Sequence, residues 1–287
     1  MDKINGVILV NKPSDWTSQD VTAKIKRKLH VDKIGHAGTL DPLATGLLVV
    51  LVGSATKLSN YLMSEEKEYE CEILIGKSSD TEDISGNITD VKEVQQFNNV
   101  DEILNGLIGS LEQVPPMYSS IKQNGVKLYE LAREGITVER NTRVIEIKKL
   151  IRTSELLYED GCCKFKFKTT VSKGTYIRSL CVEIGKRLGY PALMNKLERT
   201  RSGNFCIEDS YTIENVINDE FKILSNYEAV KDKNIYFINE KLNKRVMNGM
   251  SLRLNSNEDL LYLVYNNELV GIYEKENEEY KAKRVWN

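Results

Sequence analysis

Residues 163–169, Cys-Lys-Phe-Lys-Phe-Lys-Thr, alternate Cys163, Phe165, Phe167 and Thr169 with Lys164, Lys166 and Lys168. Successive side chains of an extended chain leave opposite faces, so this stretch presents one apolar face and one charged face. A strand divided in this way suits an antiparallel sheet with one covered face; strands of a doubly wound parallel sheet are apolar on both. Tyr69, Cys71, Ile73 and Ile75 come close to the same pattern against Glu70, Glu72 and Leu74. Leu47–Val52 is instead a continuous apolar run of strand length and predicts a buried strand. Gly6–Val10 predicts a further strand, ending in a turn at Lys12-Pro13-Ser14.

Helical signals lie between these strands. Thr17 with Asp20 three residues later resembles an N-terminal cap, and Val21, Ile25 and Leu29 follow at helical spacing. The spacing predicts a helix to about Leu29, with Lys24, Lys26, Arg27 and Lys28 complementing its C-terminal dipole. Ile177, Cys181, Ile184 and Leu188 predict a second helix, stopped by Gly189 and Pro191. Near the C-terminus LYLVY and ELVGIY flank Asn266-Asn267, a β-hairpin signal. Ser225–Asn234 is mostly polar and reads as a linker, which places a boundary near residue 231. The chain is thus expected to be α/β of the α+β type. A mixed, largely antiparallel central sheet flanked by helices fills residues 1–230, and a small β-rich module fills residues 231–287.

The 287 residues contain no run of eighteen apolar residues, so no membrane-spanning helix is expected. The apolar run near the N-terminus is too short for a signal peptide, and the location expected is cytoplasmic. Five cysteines without CxxC spacing point to a reducing compartment. With only His30 and His36 besides, no metal and no cofactor are expected. The net charge of −2 hides an uneven distribution. Cys162–Cys206 carries ten Lys or Arg against Glu183 and Glu198, whereas Ile207–Glu228 carries six acids and one Lys. A basic, phosphate-binding face is therefore compatible with an acidic total, although a solvated charged surface explains such a cluster equally well.

The most unusual segment is Gly35–Gly46, GHAGTLDPLATG. It lacks the Gly-Lys-Ser/Thr ending of a phosphate-binding P-loop. Taken alone, Asp41-Pro42 reads as a turn starter and His36 as a structural histidine. Other segments change that reading. GHAGTLDPLATG resembles the catalytic motif of the TruB family of tRNA pseudouridine synthases, and VNKPSDWTS, with Lys12-Pro13, resembles that family's first motif. EYECEILIGKSSDTED is similar to the segment holding its active-site tyrosine, here Tyr69, and VSKGTYIRSLCVEIG to the one holding its arginine, here Arg178. QVPPMYSSIKQNGVKLYELAREG is similar to the part that folds over the RNA T-loop, about residues 113–140. The C-terminal module resembles a PUA RNA-binding domain, with weaker motifs. One departure stands in LERTRSG, where Glu198 precedes Arg199 and the family usually has paired arginines.

The resemblance implies a pseudouridine-synthase fold and the isomerisation of the uridine at tRNA position 55; the sequence does not reveal the oligomeric state, and a monomer is adequate for this chemistry. It makes Asp41 the catalytic carboxylate, Tyr69 a ring stacked on the target base with a hydroxyl for proton transfer, and Arg178 their active-site partner. Tyr176 and Leu197 would line the base pocket, and His36 would fill the space left by the flipped nucleotide. Lys12 and the basic segment Lys164–Arg201 would hold phosphates, and the C-terminal module the acceptor end. The residue types suit the chemistry, because a carboxylate can attack a sugar or base carbon or stabilise positive charge at the sugar. An aspartate in a closed pocket tends to protonate, so a fixed cation is needed, and Arg178, off the apolar stripe of its helix, is expected to pair with Asp41 in two-pronged fashion. Two other readings use the same residues. One is an RNA-folding protein without catalysis; the other is a glycoside hydrolase with Asp80 or Glu82 as the second carboxylate.

Overall fold

The computed structural model describes residues 4–123 and 125–286. Its main sheet runs in the spatial order Gly6–Lys12, Thr45–Val52, Ala192–Ser202, Lys67–Ile75, Cys162–Val171, Arg143–Arg152, Gly109–Gln113. Along this path the pairing of Thr45–Val52 with Ala192–Ser202 is parallel and every other pairing is antiparallel. This is the mixed, largely antiparallel sheet that the alternating stretches predict.

The two kinds of apolar pattern have different causes. Phe165, Phe167, Tyr69, Cys71 and Ile73 face one core together with Ile177, Leu180, Cys181 and Ile184 of the helix Ile177–Leu188. On the reverse face Lys166 stands opposite Glu72 and Lys168 opposite Glu70, in solvent. Thr45–Val52, by contrast, is covered on both sides. Leu47, Val49 and Leu51 pack toward one cluster, and Leu48 and Val50 toward another that contains Val21 and Ile25 of the helix Ser18–Leu29. Burial on both faces explains the unbroken apolar run.

The helix Ser18–Leu29 starts at the predicted cap: Asp20 N donates to Thr17 Oγ1 at 3.0 Å, and Thr17 N donates to Asp20 Oδ2 at 2.9 Å. The second predicted helix ends at Gly189, whose φ of 84° is the left-handed conformation that glycine adopts without strain. A separate four-stranded sheet is built from Ile235–Phe237, Leu260–Tyr265, Glu268–Glu276 and Glu279–Val285. Asn266 and Asn267, at φ 50° and 62°, make its predicted hairpin turn. Tyr262, Val264, Leu269 and Ile272 of this sheet pack into one cluster with Leu47, Val49 and Leu51, so the small domain covers the back of the main sheet.

Ser225–Asn234 departs from the expected linker. Ala229 and Val230 are buried in that shared cluster, and Asn234 O accepts from Tyr262 N at 2.9 Å. A segment can be mostly polar and still be core when a few small apolar residues meet the right surface.

The close parallel approach of two strands sets a constraint at Gly46, where φ is +97° and an added Cβ would meet Arg199 O at 2.4 Å and Arg199 N at 2.8 Å. Gly46→Ala is expected to cost about 2 kcal/mol or more. Calorimetry should show a melting temperature lowered by several degrees, and an unchanged value would mean that the strands separate at no cost.

Candidate active site

The Asp41 loop is held from below by the first motif and from the side by Arg199. Asp41 starts a tight turn through its backbone: Ala44 N donates to Asp41 O at 3.1 Å, and Pro42 supplies the fixed φ of the second turn position. The turn reading of Asp41-Pro42 and the catalytic one are thus compatible, because the main chain makes the turn and the carboxylate stays free. Asp15 N donates to Pro42 O at 2.9 Å, and the Ser18 hydroxyl accepts from Leu40 N at 2.9 Å. Arg199 donates from Nη2 to Gly38 O at 3.1 Å and from Nε to Leu47 O at 2.7 Å.

Arg178 meets this loop from the opposite side. Its Nε lies 2.9 Å from Asp41 Oδ2 and 4.0 Å from Asp83 Oδ2, and its side chain is 4% exposed. The expected two-pronged geometry is absent. Nη1 donates to Thr81 O at 3.0 Å and Nη2 to Tyr118 O at 2.8 Å, which commits the rest of the fork to backbone carbonyls. The Nε–H is not aimed along a hydrogen bond, so the link to Asp41 is a contact between charges. Asp83 is itself tied down, its Oδ1 accepting from Ser85 N at 3.0 Å and from Thr81 Oγ1 at 2.8 Å.

These surroundings act on Asp41 in opposite directions. Its side chain remains 35% exposed, but protein crowds it on the other sides. Burial pushes its pKa above the usual carboxylate range and nearby Asp83 adds to this; Arg178 and Lys12 pull it down. The net direction is upward.

Tyr69 and Leu197 are buried in the cluster that contains Leu40 and Ala44, on either side of Asp41 in sequence. Tyr176 immediately precedes the helix that carries Arg178, and burial raises the pKa of its hydroxyl. His36 stands in the short strand Ile34–His36 beside Val50. Burial and then Arg199 lower its pKa, which leaves a neutral ring at pH 7.

Lys12 is a correction. It was expected on phosphates, yet it is 0% exposed, and its ammonium donates to Pro13 O at 2.8 Å, Trp16 O at 2.6 Å and Pro42 O at 3.0 Å. Burial lowers its pKa to about 8. The side chain follows the inward face of a strand buried on both sides and so reaches the loop, not solvent. The lysines of 164–168 differ from expectation for a related reason. They occupy the sheet face opposite Tyr69, interleaved with glutamates, and Lys168 pairs with Glu68 at 2.8 Å.

Asp83 carries no signal of this role in the sequence, and Arg199, expected within the phosphate-holding segment, is instead buried on the carbonyls of Leu47 and Gly38. An Asp two residues before Ser85 in a Ser/Thr/Asp-rich stretch is a turn signal. Leu197 and Arg199 share a strand face by two-residue periodicity, which was enough to place Arg199 inward.

Residues 26–177 match the family described as TruB family pseudouridylate synthase, N-terminal domain, and residues 178–235 match the tRNA pseudouridylate synthase B C-terminal domain. The chain belongs to the TruB family. It is therefore a pseudouridine synthase, an isomerase. Among its relatives, the tRNA pseudouridine synthase B of Staphylococcus haemolyticus is 41% identical, and that of Streptococcus mutans 40%, each alignment covering 99% of both chains. In fold, this TruB-family chain is similar to one in the crystal structure of a Cbf5-Nop10-Gar1 complex. The TM-score is 0.71 at 24% identity, over 98% of this chain and 84% of that one.

Since Lys12 is enclosed, Lys12→Met should lower thermal stability and turnover through the Asp41 loop. The slope of log Kd for RNA against log salt should stay unchanged; a slope smaller by about one would restore Lys12 as a phosphate contact.

Proposed function

We propose that this enzyme converts the T-loop uridine at position 55 of tRNA into pseudouridine at the Asp41 centre, without a cofactor. The observation that carries the site assignment is the 2.9 Å contact between the Asp41 and Arg178 side chains, within motifs shared with the family. In the reaction the N1–C1′ bond breaks, the base turns, and a C5–C1′ bond forms. The proton lost from C5 is matched by one gained at N1, so the conversion balances with no co-substrate. Asp41 acts as the ionised carboxylate on the everted nucleotide, with Arg178 holding it charged. Tyr69 stacks on the uracil and its hydroxyl serves proton transfer, while Tyr176 and Leu197 line the base pocket. His36, neutral and flat, fills the place left by a nucleotide whose eversion costs about a few kcal/mol.

Residues 1–230 form the catalytic domain and 113–140 grip the T-arm. Residues 231–287 take the acceptor end, a role drawn from their resemblance to a PUA module. The enzyme works as a monomer in the cytoplasm. Among the described residues no helix is long and apolar enough to cross a membrane.

Incubation with unmodified T-arm RNA, a chelator and no cofactor should yield pseudouridine at the single expected position. Asp41→Asn should abolish turnover and Tyr69→Phe should block it, both with RNA affinity retained. Turnover by Asp41→Asn equal to that of the unaltered enzyme would contradict the assignment.

A further inference from the structure

The helix that carries Arg178 begins without a side-chain cap. Tyr176 precedes it in extended conformation, with φ −101° and ψ 114°, and its side chain makes no capping hydrogen bond to the first backbone donors. Something else must fix the height and orientation of this residue. Gln113, sixty-three positions earlier in the chain, does so with both ends of its amide. Its Oε1 accepts from Tyr176 N at 2.8 Å, and its Nε2 donates to Tyr176 O at 3.0 Å. The side chain thereby acts as a strand partner one residue long, and at 6% exposure it has little competition from water.

The position of Gln113 gives this contact meaning. It is the last residue of the strand Gly109–Gln113 and the first of the stretch proposed to grip RNA. Five residues later Tyr118 O accepts from Arg178 Nη2 at 2.8 Å. Pro115 O accepts from Arg140 Nη1 at 2.9 Å, which ties the far end of the same stretch back to its root. The root of the RNA-gripping stretch and the first turn of the catalytic helix are therefore joined by hydrogen bonds to Tyr176 and to Arg178, the residues on either side of Ile177.

We propose that Gln113 is a positioning residue for pseudouridine formation: its amide sets Tyr176 against the target uracil and links the seating of RNA to the base pocket. The inference rests on the proposed placement of the uracil against Tyr176. A purely structural amide would affect folding alone, whereas a positioning amide must affect turnover of bound RNA more than its binding.

The experiment measures single-turnover rate, RNA affinity and melting temperature for Gln113→Ala, Gln113→Glu and Tyr176→Ala. In Gln113→Ala, loss of both hydrogen bonds should slow turnover of bound RNA by about tenfold or more, with RNA affinity changed by less than about threefold. Gln113→Glu adds a readout that packing alone would not move. Its carboxylate still accepts from Tyr176 N but repels Tyr176 O, and protonation recreates the donor. Its rate relative to the unaltered enzyme should therefore rise as pH falls from about 8 toward about 5.5. That second variant keeps the inference testable if Gln113→Ala does not fold. A pH-independent ratio, or Gln113 variants of unaltered rate beside a crippled Tyr176→Ala, would overturn this inference alone. A fully active Tyr176→Ala would overturn both it and the base-pocket assignment.

Discussion

A single guanidinium, withdrawn from water, holds the candidate site together. Arg178 faces the Asp41 carboxylate, keeps Asp83 within 4.0 Å, and spends its remaining donors on the carbonyls of Thr81 and Tyr118. Buried ions are costly unless opposite charge and hydrogen bonds surround them, and removing one partner of such a pair typically costs about 3–5 kcal/mol. Arg178 meets that condition only when three separate parts of the chain are in place. The Asp41 loop, the turn that carries Thr81 and Asp83, and the segment that carries Tyr118 all converge on it.

The same principle explains why residues 12–18 accompany the Asp41 loop: Lys12, Asp15 and Ser18 together bind the backbone of Leu40 and Pro42. Arg199 does the same for Gly38. Glycines and a proline let the loop turn sharply, and buried cations satisfy the carbonyls that the turn leaves over. Asp41 is therefore presented by a scaffold of backbone bonds, and its side chain is spared from capping its own turn.

Periodicity made most of the fold legible. Alternation in 163–169, the Thr17 cap, the Gly189 stop and the Asn266-Asn267 turn are local signals, and each corresponds to an observed element. The contact of Asp41 with Arg178 was legible through the resemblance of KGTYIR to the family segment, because an arginine near a helix start taken alone reads as solvent-facing. What escaped was tertiary. Lys12 is a lysine in a turn motif until the strand around it is seen to be covered on both faces. Gln113 carries no local signal, since its partner lies in another element. Ser225–Asn234 looked like a linker because its few apolar residues gain value only against the small domain. Lys164, Lys166 and Lys168 read as a basic face, but Glu72 and Glu70 stand opposite Lys166 and Lys168, and Glu159 pairs with Lys164.

In the proposed mechanism Arg178 keeps a carboxylate ionised in a place that favours its protonated form. Burial already raises the Asp41 pKa, so the ionised fraction grows as pH rises through that elevated value. A carbon-13 NMR titration of labelled aspartate carboxyls, with the Asp41 resonance assigned from Asp41→Asn, measures this directly. Arg178→Met is expected to move the Asp41 midpoint further upward, leaving the group largely protonated at pH values where the unaltered enzyme is ionised. An Asp41 midpoint that is the same with and without the guanidinium would contradict it.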